Sequence, residues 1–140
     1  FDDLNKVKKI VEKNNIGLIY SPNFSVGVNI FFQVMDFAAK LFAKFPEYDV
    51  YGLEVHHKAK LDSPSGTALK IASKINNLHF NSVRAGSNPG FHEVVFDSSA
   101  DKITFSHQAY DRVGFAKGAL RAAEMIKSKK GLYTFEEMFK

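Results

Sequence analysis

The chain has 140 residues, 45% of them hydrophobic, 24% charged and 14% aromatic, which suits one globular domain and leaves little room for two complete ones. Nineteen Lys and Arg against fifteen Asp and Glu leave a net charge of +4, dispersed rather than gathered into the basic stripe that nucleic acid attracts. The absence of cysteine excludes disulfides, thiolate nucleophiles and Cys-based zinc or iron–sulfur sites.

Asp2 and Asp3 followed by Leu4, Val7, Ile10 and Val11 predict a helix with acids in its first turn, stopped at Asn14 and Asn15. Residues 16–20 read as a short buried strand broken by Ser21, Pro22 and Asn23. From Val26 the set Ile30, Val34, Phe37, Leu41 and Phe45 predicts an amphipathic helix with that stripe inward, ended by Pro46. Asn29, Gln33, Asp36 and Lys40 interrupt it, so it cannot span a bilayer. Residues 48–57 favour a strand. A helix over about 66–75 follows, with Leu69, Ile71, Ala72 and Ile75 inward, then a strand over 82–85. Segments 91–96 and 102–110 alternate as an antiparallel pair. A helix over 113–128 places Phe115, Ala119, Ala122, Ala123 and Ile126 near one face; Lys127, Lys129 and Lys130 before Gly131 read as its C-terminus, and 132–139 as one short helix.

This order predicts an α+β fold with a mixed, largely antiparallel sheet and helices packed on one face, plus a remnant of a Rossmann-like α/β domain. The expected division is 1–24 as the end of a dinucleotide-binding domain, 25–130 as a substrate-binding and oligomerisation domain, and 131–140 as a tail returning to the first. Phe1 in place of Met suggests a piece of something longer.

The segment from Glu54 to Ala68, EVHHKAKLDSPSGTA, is the densest in chemistry. Neighbouring side chains on a strand point to opposite faces, so His56 and His57 do not readily chelate one metal, and none is expected. Imidazole donates a proton near neutral pH, which makes a histidine at a strand end a candidate general acid. Ser65 or Thr67 can be a plain helix N-cap. With Gly66 admitting a ligand to the backbone and Lys60 adding charge, the same turn can hold a carboxylate. Arg84 with the Gly-rich turn to Gly90 reads as a connection rather than a site, and His79, His92 and His107 as structural or exposed. No Gly-x-Gly-x-x-Gly occurs.

The 54–68 segment resembles the signature of the 4-hydroxy-tetrahydrodipicolinate reductase (dihydrodipicolinate reductase) family, and 21–29, 82–86 and 115–119 are similar to its flanking pieces. The resemblance implies an oxidoreductase of lysine and diaminopimelate biosynthesis that transfers hydride from NADH or NADPH to a cyclic dicarboxylate. His56 would be the proton donor and Lys60 the catalytic lysine; His57, Lys60, Ser65, Gly66 and Thr67 would hold substrate; Ser21, Pro22, Asn23 and Phe24 would approach the nicotinamide. It also implies a cytoplasmic homotetramer, with Val94, Phe96, Ile103 and Phe105 as candidate subunit contacts, and no membrane or nucleic-acid partner. The family's glycine-rich turn is lacking here, so the chain alone is expected to be inactive. The alternative is a non-catalytic carboxylate-binding or oligomerisation module of the same fold.

Overall fold

The computed structural model describes residues 3–139; Asp2, expected at the start of the first helix, and Phe1 and Lys140, at the ends of the expected 1–24 and 131–140 segments, lie outside them. In chain order the elements are α1 (Leu4–Lys13), β1 (Gly17–Tyr20), α2 (Val26–Phe42), β2 (Asp49–His56), α3 (Gly66–Ala72), β3 (Phe80–Arg84), β4 (Phe91–Asp97), β5 (Lys102–Gln108), α4 (Val113–Ile126) and β6 (Gly131–Thr134), followed by a 3-10 turn over Glu136–Phe139. The described residues up to Asn29 and those from Val113 onward form one unit, and Ile30–Arg112 form another. The division drawn from sequence differs in giving α4 to the substrate-binding part.

In the first unit β1 and β6 pair in parallel, from Gly17 opposite Gly131 to Tyr20 opposite Thr134, and α1 and α4 rest on this pair. Asp3 caps α1 by accepting the Lys6 N–H at 2.9 Å, so it precedes the first turn rather than occupying it. Several sequence expectations change. Leu132 to Thr134 are strand, because their backbone groups bond β1, and only 136–139 turn helically. The inward residues of α4 are Gly118 and Ala122, whereas Ala119 and Ala123 are exposed. A side chain at Gly118 would collide with the Phe24 carbonyl, so this glycine lets α4 cross the 21–25 loop closely. That helix ends at Ile126, and Gly131, at φ +110°, opens β6 instead of capping it.

The second unit is a four-stranded sheet in the order β3-β2-β4-β5, with β2–β3 parallel and the other two pairs antiparallel. Side chains alternate across a strand, so the register collects one face: Val50, Gly52, Glu54 and His56 from β2, Phe80, Ser82 and Arg84 from β3, His92, Val94 and Phe96 from β4, and Ile103, Phe105 and His107 from β5. The part of α2 in this unit packs here, its Phe42 ring stacked on Phe96 with centroids 3.9 Å apart. Its buried stripe is Phe31, Phe32, Met35 and Ala38, while Ile30, Val34, Phe37, Leu41 and Phe45 are 39–64% exposed, the reverse of the sequence expectation. The helix is apolar on two sides, and periodicity alone does not say which meets the sheet. Leu69 of α3 likewise faces out, and Ala68 is buried instead, while Ile71 and Ile75 face inward as expected. Val94 and Phe96 are buried beneath α2, so these two belong to the chain's own core and not to a subunit contact.

Candidate active site

Three strands and the α3 start converge on Glu54, which is fully buried. Pairing sets Ser82 beside it on β3 and His92 on β4, and His56 beside Arg84 one step further along. Its Oε1 accepts from the Ser82 hydroxyl at 2.7 Å, Arg84 Nη2 at 2.6 Å and the Ser65 backbone N–H at 2.9 Å. Burial alone would push this carboxyl up, yet the hydrogen bonds from Ser65, Arg84 and Ser82 prevail and bring its pKa to about 2. Its other oxygen, Oε2, stands 3.5 Å from both His56 Nδ1 and His92 Nε2.

The two imidazoles meet edge to face with centroids 5.0 Å apart, and both are buried. Burial and the neighbouring His56 push His92 down to about 4 against the pull of Glu54. His56 is also lowered, by burial first, with Lys60 and Arg84 adding to it and Glu54 and Asp62 opposing. The His92 ring lies 3.0 Å from Ser65 Oγ, which accepts the Ala68 N–H at 3.2 Å and so caps α3. One serine therefore ties the helix start to the cluster through both backbone and side chain.

Arg84 also donates to the Asp62 carbonyl at 2.7 Å, pinning the 57–65 loop. In that loop Lys60 Nζ lies 2.6 Å from Asp62 Oδ1, and the lysine's bond holds that carboxyl below its usual range. Backbone bonds from His57 N–H to Asn88 O and from Lys58 N–H to Gly86 O lay the 85–90 turn beside the strand end. A Cβ at Gly90 would sit 3.2 Å from His56 Nε2, so glycine leaves room on that side of the ring.

Of the residues singled out from sequence, His56, Lys60 and Ser65 gather around Glu54 and Arg84. Gly66 is exposed, with open space where a Cβ would stand, and Thr67 beside it is half-buried. His57 is half-buried and takes no part in the cluster's hydrogen bonds among the described residues. Ser21 to Phe24 belong to the first unit, where Ser21 Oγ donates to Asn23 O at 2.7 Å and Asn29 Nδ2 holds the Asn23 and Ser25 carbonyls, each at 2.8 Å. Arg84, expected in a connection, and His92, expected to be structural or exposed, belong to the cluster, as do Ser82 and Glu54, to which the sequence alone assigns no role. The i, i+2 pairs Glu54/His56 and Ser82/Arg84 were a usable signal, whereas His92 required the register.

Donor atoms of Glu54, His56 and His92 lie within 4.8 Å of one another. A guanidinium on the same carboxylate disfavours a cation there, and the arrangement is suited to holding and moving protons.

The family model described as "Dihydrodipicolinate reductase, C-terminus" matches residues 27–139. The chain belongs to that family. It is 37% identical to the 4-hydroxy-tetrahydrodipicolinate reductase of Christiangramia forsetii over 154 aligned residues, covering 98% of this chain and 64% of the relative. The reductase of Methanosarcina acetivorans is 35% identical over 94% of this chain and 57% of its own length. Among solved structures, a dipicolinate-bound dihydrodipicolinate reductase from Paenisporosarcina sp. TG-14 superposes with a TM-score of 0.73 at 27% identity, over 96% of this chain and 59% of that one. The chain thus spans about six-tenths of the length of these relatives.

Proposed function

We propose that this chain is the substrate-binding and catalytic part of a 4-hydroxy-tetrahydrodipicolinate reductase, which reduces a cyclic unsaturated dicarboxylate to tetrahydrodipicolinate in lysine and diaminopimelate biosynthesis. The observation that carries the reading is His56, buried over a charged Glu54 and close enough to Lys60 to feel its charge. An imidazole so placed can take up and release a proton, and the ammonium beside it attracts an acid.

In this reading His56 donates the proton that the reduced substrate gains. Lys60 holds a substrate carboxylate, exchanging its partner Asp62 for the ligand, and Gly66 and Thr67 receive the same carboxylate at the α3 start. His57 lines the approach. Ser65 acts through its cap, since its N–H donates to Glu54 and its hydroxyl oxygen accepts from the Ala68 N–H and lies beside the His92 ring.

A nicotinamide cofactor, NADH or NADPH, supplies the hydride when bound. The loop of Ser21, Pro22, Asn23 and Phe24 would meet its nicotinamide end. That loop is folded on its own hydrogen bonds, and behind it Asn29 Oδ1 is buried without a partner, which fits a surface built to receive a polar ring. The chain carries no Gly-x-Gly-x-x-Gly turn for the pyrophosphate, so the chain alone is expected not to turn over NADH; normal steady-state reduction by the purified chain would overturn this.

A homotetramer is supported by apolar side chains left open on the second unit, Tyr51 and Val83 on the sheet face away from α2 and Phe37 and Leu41 on the helix. Light scattering that returns a monomer at all concentrations refutes it. The family resemblance alone supports a cytoplasmic place; among the described residues no helix is long and apolar enough to cross a membrane.

Titration calorimetry with pyridine-2,6-dicarboxylate tests the site. The chain should bind it, and Lys60→Ala or Thr67→Val should each weaken binding by about tenfold, the loss of one charge-assisted hydrogen bond. Unchanged affinity in Lys60→Ala removes that lysine from the site.

A further inference from the structure

We propose that Glu54 is a positioning residue for His56: its Oε2 takes the Nδ1–H of the imidazole, leaving Nε2 as the nitrogen that exchanges a proton with substrate. The proposal rests on the reading of His56 as proton donor.

The two residues sit two apart on β2 and so on one face of a rigid strand. Three donors hold Oε1 of Glu54, fixing the plane of the carboxylate. Its Oε2 and His56 Nδ1 are both fully buried, neither has a hydrogen-bond partner, and they stand 3.5 Å apart. Buried polar atoms demand partners, and a small ring rotation supplies each with the other. His92 Nε2 is equally near Oε2, but Ser65 Oγ already stands 3.0 Å from it. On the opposite side of the His56 ring Nε2 borders Gly90, where any side chain would crowd it. One nitrogen is thus turned into a carboxylate and the other toward a gap that only glycine leaves.

The charged and titratable groups around His56 are Glu54 on its own strand, Arg84 on β3, His92 on β4, and Lys60 and Asp62 in the following loop. Burial, Lys60 and Arg84 disfavour the imidazolium, while Glu54 and Asp62 favour it. A dicarboxylate arriving beside Nε2 adds negative charge and tips the ring toward its protonated form. When the Nε2–H bond then breaks, its electron pair stays on Nε2 and the proton passes to the substrate. The ring keeps Nδ1–H on Glu54, which remains a carboxylate throughout because Arg84, Ser82 and Ser65 continue to donate to it.

Ring-nitrogen NMR of the wild-type chain reads this without turnover. Above neutral pH, His56 should carry its proton on Nδ1; a majority Nε2–H form overturns the proposal. In Glu54→Gln the tautomer bias should vanish and the His56 pKa should fall, whereas an unchanged tautomer and pKa again overturn it. For turnover, the chain is joined to the cofactor-binding half of a family member. There Glu54→Gln should lower kcat by about a hundredfold with KM within about twofold, the mark of a group acting on the proton transfer rather than on binding, and Glu54→Asp should recover part of the loss. If His56→Asn is dead while Glu54→Gln keeps wild-type kcat and tautomer, the assignment of Glu54 alone falls. If His56→Asn turns over like wild type, the proton-donor reading itself fails, and the catalytic role of Glu54 with it. Because the tautomer is read in the unmutated chain, misfolding of a variant does not shield the proposal.

Discussion

The sheet face toward α2 is polar at one end and apolar at the other. At the end of β2, Glu54, His56, Ser82, Arg84 and His92 share hydrogen bonds and close ring contacts. Four residues back along the same strand, Val50 pairs with Phe96, and that ring stacks on Phe42 and meets Phe105 edge to face at 6.2 Å. The apolar end needs only volume and contact. The polar end depends on how its buried charge is held, because charge at that depth is costly unless paired. Stability can therefore be removed from either end, but only the polar end should transmit the damage to pH response and ligand binding.

The largest effects should come from removing one side chain at each end. Phe96→Ala leaves a cavity under α2 and should cost about 3–5 kcal/mol in denaturant unfolding, with the acid limb of stability and the affinity for pyridine-2,6-dicarboxylate unchanged. Arg84→Met strands the buried Glu54 and should cost a similar ~3–5 kcal/mol. Here the acid limb should move to higher pH, because Glu54 loses one of the bonds that hold it low. If both variants shift the acid limb equally, the two ends form one cooperative patch and the contrast is void.

The pH dependence itself is next in size. His92 titrates at about 4 in the fold against an ordinary 6.5, so the unfolded chain takes up that proton first. Stability from this group is full above pH 6.5 and is lost as pH falls from 6.5 to 4, by roughly 3 kcal/mol. Glu54, at about 2 against an ordinary 4.5, adds a second loss as pH falls from 4.5 to 2. The groups facing His92 are His56, Glu54, His107 and Lys60, with Ser65 on its ring nitrogen. His92→Gln should shrink the limb below pH 6.5 to the part left by His56 and His107, which burial also lowers, and leave the lower limb in place. A wild-type curve that is level from pH 7 to 4 contradicts the buried, neutral His92.

The contrast between the ends also explains what could be read in the sequence. Strand and helix positions follow from periodicity and breakers, and the 54–68 segment announced its chemistry by composition. Sidedness was harder. Ile30, Val34, Phe37, Leu41 and Phe45 repeat as regularly as Phe31, Met35 and Ala38, and only packing on Phe96 decides between them. The partners of Glu54 come from strands 28 to 38 residues away in sequence: Ser82 and Arg84 through a parallel crossover, His92 through an antiparallel register. Spacing within one segment carries no information about those pairings. His92 in particular has no neighbour in sequence that marks it as buried beside a carboxylate.

The smallest effect sharpens the same contrast within hydrogen bonds. Ser82 donates to Glu54 at 2.7 Å inside the cluster, and Tyr48 donates to Asp101 at 2.7 Å at the exposed edge of the apolar end. Length is equal, so burial alone separates them. Ser82→Ala removes a neutral donor to a buried charge that keeps two others, and should cost about 1 kcal/mol while nudging the Glu54 limb upward in pH. Tyr48→Phe removes an exposed bond that water replaces, and should cost clearly less than Ser82→Ala with no change in the acid limb. Equal costs for the two substitutions, measured under the same conditions, would mean that the Glu54 cluster is wetter than its burial implies.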